Sequence, residues 1–125
     1  MSARTWTIRL PYTAPPLSLN DRGRSHWPKT RLTREIRGVA NILAREARVP
    51  ALAACTVALH YVPRDNRRRD TDNLVATLKP LADGLVDAGI VPDDTPGLMG
   101  KPEPLIHPAN PRDPHLYLVI TEVTP

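Results

Sequence analysis

A chain of 125 residues, 41% hydrophobic and 24% charged, has the size and apolar content of one domain with a single modest core, and is too apolar for a disordered tail. One cysteine, Cys55, excludes an internal disulfide and a thiolate-built zinc site, and suits a reducing cytosol. The net charge of +4 hides a polarity: residues 1–69 hold fourteen Lys/Arg against four Asp/Glu, and residues 70–125 hold three against nine.

Arginine outnumbers lysine fourteen to three, which points to a polyanion partner, because the guanidinium fork grips phosphate bidentately. A solvated basic surface is the plainer account of the same composition. Proline, 15 of 125 residues, stands well above the usual share of about 5% and punctuates elements without forming a polyproline tract. The longest apolar stretch, 49–62, is broken by Thr56 and His60 and is too short for a bilayer. No charged and apolar leader precedes Thr5, so the expectation is a cytoplasmic protein with no membrane partner.

In chain order, residues 5–12 alternate Trp6, Ile8 and Leu10 against Thr5, Thr7 and Arg9, a half-buried strand ended by Pro11. Residues 13–28 read as a long loop with a turn at Asn20-Asp21-Arg22-Gly23. From Thr30 to about Arg48, Leu32, Ile36, Val39, Leu43 and Ala47 recur at helical spacing until Pro50. Residues 53–62 alternate again, with Cys55, Val57, Leu59 and Tyr61 on the core face. The basic loop Arg64-Asp65-Asn66-Arg67-Arg68-Arg69 runs into Asp70-Thr71-Asp72-Asn73. Leu74, Leu78, Leu81 and Leu85 then form one stripe of a second helix closing at Gly89. Residues 97–107 predict an edge strand shortened by Pro102 and Pro104, and 115–123 a final strand. The order β-α-β-α-β-β predicts a small α/β (α+β) domain over 1–125, two helices packed on a mixed sheet.

The chemistry concentrates in Asp70, Asp72 and the pair Asp93-Asp94. In an extended segment i and i+2 point the same way, so Asp70 and Asp72 are expected to converge ahead of the helix. Either could be an ordinary N-cap, but only one can, which leaves the other unexplained. At about 100° per residue, Asp72, Lys79 and Asp83 fall within roughly 40° of one another, opposite the leucines. A polar outer face would look the same. Carboxylates, a lysine and a triple-arginine run are nonetheless what phosphodiester cleavage needs: Mg²⁺ takes one or two carboxylates and keeps waters, and a cation steadies the charge that develops.

The runs Arg67-Arg68-Arg69-Asp70-Thr71-Asp72-Asn73-Leu74, 78–85 (LKPLADGL) and Asp93-Asp94-Thr95 resemble the metal-site block of the RusA family of Holliday-junction resolvases. Ile8-Arg9-Leu10-Pro11, then Pro15-Pro16, Asn20 and Arg22-Gly23-Arg24-Ser25-His26, match its opening, and Leu118-Val119-Ile120-Thr121-Glu122 its ending. The matches run in order from about residue 6 to 122. This resemblance implies a homodimeric, Mg²⁺-dependent endonuclease, with Mn²⁺ as a possible substitute, that nicks four-way DNA junctions in pairs during recombination and repair and uses no small-molecule cofactor. It implies metal binding and catalysis by Asp70, Asp72 and Asp94, with Asp93 a lesser neighbour. The family's lysine position, one turn after the second aspartate, is Ala76 here. Lys79, three residues on, is the expected replacement, and Pro80 beside it is expected to kink the helix.

Arg67, Arg68 and Arg69 are the expected phosphate contacts, joined by Arg22, Arg24, His26 and Asn20 in the first loop. Trp27 could stack on a base or pack. His60 is expected to be structural, and His107 and His115 lack metal-ligand spacing. Three other classes compete. A response-regulator receiver domain has this length, but its acidic pair comes early and its lysine last. A non-catalytic nucleic-acid-binding module would keep the arginines without needing the carboxylates. A less selective nuclease on branched or forked DNA would use the same site.

Overall fold

The computed structural model describes residues 3–17 and 26–124, with the side chains of residues 26–29 outside that set. Among the described residues, five strands and two helices follow the order β1 (Thr5–Arg9), α1 (His26–Glu46), β2 (Ala54–Val62), α2 (Asp72–Asp87), β3 (Met99–Gly100), β4 (Leu105–Ile106) and β5 (His115–Val123). The expected mixed α+β architecture is borne out.

The sheet runs β1-β5-β2-β3, with β4 also on β2. β5 is antiparallel to both β1 and β2, pairing Val57 with Ile120 and Leu59 with Leu118. β3 and β4 pair parallel with β2, at Cys55–Met99 and His60–Leu105. Parallel pairing requires a crossover, and α2 supplies it between β2 and β3. Pro102 and Pro104 split the expected 97–107 strand into these two short pieces, since neither can donate to a ladder.

Alternation decides which sheet face is covered. Cys55, Val57, Leu59 and Tyr61 of β2, Leu116, Leu118 and Ile120 of β5, and Ile8 of β1 are buried. They form one core with Leu74, Leu78, Leu81 and Leu85 of α2, the predicted stripe.

α1 differs from its reading in two respects. It starts at His26, inside the expected loop, because Pro28 occupies the first turn, where N–H groups have no intrahelical partner to lose. Its buried line is Ile36, Ala40 and Ala44, not Val39 and Ala47, and Ala47 is exposed. The small alanines let α2 approach, and Gly84 of α2 lies against Ala40 and the Arg37 carbonyl. The helix stops at Glu46, with Arg48 in the left-handed region (φ 57°) and the Val49 N–H reaching back to the Ala44 carbonyl.

α2 is unbroken through Pro80, which is buried. The missing N–H forfeits one bond to the Ala76 carbonyl, and packing against the core holds the helix nonetheless. The segment after β1 is tied down at Leu17, whose carbonyl accepts from the buried Thr77 hydroxyl at 3.2 Å.

Candidate active site

The N-terminal turn of α2 separates two clefts. One, of about 510 Å³, is lined by Thr71, Asp72 and Lys79 on the helix side and by Lys101, Glu103 and the prolines beside it on the other. The second, of about 540 Å³, holds Tyr61, Arg67, Arg68, Arg69, Asp70 and Asn73. Asp70 and Asp72 therefore line different clefts. Asp70 Oδ1 accepts the Asp72 N–H at 3.1 Å, so its side chain folds back on the helix start and satisfies one of the orphan donors there. Neither aspartate is the N-cap weighed for one of them: Thr71 holds that position without a side-chain cap bond, and Asp70 bonds the helix start from the residue before it.

Lys79 meets Asp94. Its Nζ lies 2.7 Å from Asp94 Oδ2 and 3.2 Å from Asp83 Oδ1, one turn further along α2. A third member was not legible in the sequence: Lys101 Nζ lies 3.3 Å from the same Asp94 Oδ2 and 3.3 Å from the Asp94 carbonyl. Hydrogen bonds from Lys79 and then Lys101 pull the Asp94 carboxyl down to about 2, and Asp94 and Asp83 raise the Lys79 ammonium. Asp93 turns inward on its own loop, its Oδ1 accepting the Asp94 N–H at 2.8 Å. Glu103, also missed, accepts from the Thr71 hydroxyl at 2.9 Å and ties the segment after Lys101 to the start of α2. The one sequence clue to Lys101 is the rarity of lysine in this chain.

The basic loop divides. Arg69 is spent on the fold: its guanidinium bonds the Asp65 carbonyl and carboxylate, both at 2.8 Å, and lies over the Tyr61 ring. Arg67 is exposed, 3.7 Å from Asp65, and Arg68 makes no ion pair among the described residues. The charge polarity of the chain is partly self-neutralising, because Arg4–Glu122, Arg9–Asp113 and Arg37–Asp87 each join a basic residue of the first half to an acidic one of the second. Asn20, Arg22 and Arg24 lie outside the described residues. His26 opens α1, its side chain outside them too.

On the sheet face away from the helices, His60 stacks on Tyr117 (4.6 Å between centroids, 9° between planes) and its Nδ1 lies 2.8 Å from His107 Nε2. One imidazole donates and the other accepts. His60 is thus structural, as expected, and His107 gains a packing role that spacing alone did not suggest. Cys55 is buried and its thiol is pushed up by burial.

Oxygen donors of the kind Mg²⁺ takes are present: Asp72 lines the first cleft, Asp94 is bonded by two lysines that line it, and the ion commonly takes one or two carboxylates with several waters. Among the described residues no three carboxylate, imidazole or thiol groups form a ready-made cage.

No helix among the described residues is long and apolar enough to cross a membrane. No family model matches the chain. It is similar to a protein of Xylella fastidiosa (strain Temecula1 / ATCC 700964) described as uncharacterized, 30% identical over 88 residues, which cover 66% of this chain and 56% of that protein. The matched region thus spans little more than half the length of that relative.

Proposed function

We propose that the chain is a Mg²⁺-dependent, structure-selective DNA endonuclease of the RusA type, acting as a homodimer on four-way junctions. The observation that carries this reading is the meeting of Lys79 and Lys101 on Asp94, both lysines lining a cleft that Asp72 also lines. Such a cluster pairs oxygen donors for a hard cation with ammonium groups for a phosphate, which is the furniture of phosphodiester hydrolysis.

When bound, the metal would be held by Asp94 and Asp72 and would supply an acidified water and charge neutralisation at the phosphate. Lys79, its side chain 63% exposed, has the freedom to follow charge developing on phosphate oxygens. Asp83, one turn further along α2, also holds Lys79. Asp70 acts on the helix start, orienting Asp72 through its backbone. Arg67 and Arg68 flank the second cleft, where the strand beyond the reacting phosphate would run, and read backbone charge without base identity. Paired nicks call for two sites related by a twofold axis. The edge carrying β3 and β4, with Leu105 51% exposed, is the surface we assign to that contact.

A gel with four-way junction, fork and linear duplex, each with and without Mg²⁺, tests the reading. Junction cleavage only with the metal, lost in Asp72→Asn and Asp94→Asn while junction binding survives, is the expected outcome. Full cleavage by both variants would refute the site. Sedimentation at twice the 13.9 kDa chain mass is expected, and a monomer at micromolar concentration would count against the paired mechanism.

The bond of Asp70 to the start of α2, with no three carboxylates clustered among the described residues, favours a second reading, a non-catalytic branched-DNA-binding module. The same gel decides, since that module would bind the junction and cut nothing under any metal.

A further inference from the structure

Two of the three lysines in an arginine-rich chain meet on a single carboxylate oxygen. Their anchoring differs. Lys101 also bonds the Asp94 main-chain carbonyl at 3.3 Å, and its side chain is 28% exposed. Its backbone is pinned on both sides. Met99 and Gly100 pair with Cys55 and Thr56 of β2, and Pro102 follows. The Thr95 carbonyl accepts the N–H groups of Leu98 and Met99, closing the loop from Asp94 to Lys101 into one unit.

Lys79 reaches that unit from a different element, on a stem 63% exposed, and shares its ammonium with Asp83 of its own helix. An ion pair that open to water contributes little net stability, so exchanging the carboxylate for another oxyanion costs little. A lysine ammonium is a mobile point charge well suited to such an exchange, where an arginine fork would be locked to one geometry. Asp94 is not left bare when Lys79 departs, because Lys101 remains on the same oxygen. The reverse departure would break two contacts of a more covered side chain.

We propose that Lys101 is a positioning residue of this site: it keeps Asp94 placed and charge-compensated while Lys79 moves to a substrate phosphate. The proposal rests on the nuclease reading above and assigns its two lysines separate tasks.

The test compares wild type, Lys79→Met, Lys101→Met and Lys101→Arg in two measurements. Junction binding is followed against salt in EDTA, where nothing is cut. Each phosphate contact adds about 0.9 to the logarithmic salt slope. Lys79→Met is expected to lower that slope by about one and Lys101→Met to leave it unchanged. In Mg²⁺, Lys101→Met is expected to lower kcat about tenfold at unchanged KM, and Lys101→Arg to restore most of it, since a guanidinium can still hold a carboxylate. Lys101→Gln, which keeps a donor without charge, replaces the Met variant if that one does not melt cooperatively.

A slope lost in Lys101→Met, a slope unchanged in Lys79→Met, or a wild-type rate in Lys101→Met would each overturn the division of tasks. If the wild type binds the junction but cuts no DNA, the nuclease reading falls by itself and the two slopes still decide. If the wild type binds no DNA, both fall.

Discussion

Gly84 sets the distance between the two helices, and through it the placement of the residues on α2. An added methyl there would lie 2.7 Å from Ala40 Cβ and closer still to the Arg37 carbonyl oxygen. Carbon atoms pack best at about 3.5–4.0 Å, so Gly84→Ala must part the helices locally by about 1 Å. The obstacle includes backbone, which cannot rotate away, so the cost belongs at the upper end of the roughly 1–3 kcal/mol range for overpacking. Alanine in a helix interior returns about 1 kcal/mol over glycine. The net loss is about 2 kcal/mol. For a domain of this size that lowers Tm by roughly 6–10 °C, interpolating the size dependence of the midpoint shift. The same displacement strains the Arg37–Asp87 bridge, bonded at 2.6 and 2.8 Å across the helix pair. Urea denaturation of wild type and Gly84→Ala, read by circular dichroism, measures the difference. An alanine variant as stable as wild type would refute the close-packing argument. A Gly84→Ser variant should lose at least as much, having the same Cβ and less helix propensity.

Three further outcomes are expected. Lys79→Ala should lower the junction cleavage rate about a hundredfold, the scale of one lost transition-state donor; normal cleavage by Lys79→Ala alongside a dead Arg69→Ala would move the catalytic cation to the loop. Replacing Arg67 and Arg68 together by Ala should flatten the salt slope of junction binding by up to about two contacts. Arg69→Ala should instead lower the melting temperature, because that side chain is bound to Asp65; a slope loss on Arg69→Ala with unchanged stability would contradict this. Burial, and then the charge of His107, hold the His60 imidazole below its ordinary pKa of 6.5. The fold favours the neutral ring, so this contribution is whole above pH 6.5 and is lost as pH falls below it. Melting curves at about pH 7.5 and pH 5 should show a smaller acid-induced drop for His60→Phe than for wild type, and equal drops would refute it.

Much of the fold was legible because its elements obey short periods. The alternation of residues 115–123 predicted β5 to the residue, and the four leucines of α2 all face the core. The start of α1 was not legible, because a proline at residue 28 marks a loop and a first helical turn equally well. The split of the 97–107 strand was half-legible: the prolines predicted shortening, but only pairing with β2 showed two separate pieces.

For the candidate site, the sequence by itself determined its ingredients: the aspartates at 70, 72 and 94, Lys79 on the face of α2 opposite the leucines, and the arginine run ahead of the helix. Those follow from residue type and helical phase, which are local. Tertiary structure alone decided which of them meet. Asp70 and Asp72 share a motif but line different clefts, because one folds back onto the helix start. Arg69 shares a run with Arg67 and Arg68 but is consumed by Asp65. Lys101, 22 residues beyond Lys79, arrives at the same carboxylate oxygen because α2 crosses over the sheet and β3 returns parallel to β2. Spacing along a helix or strand fixes a direction within a few residues, whereas a contact between elements depends on how the sheet is ordered, and no local period encodes that order.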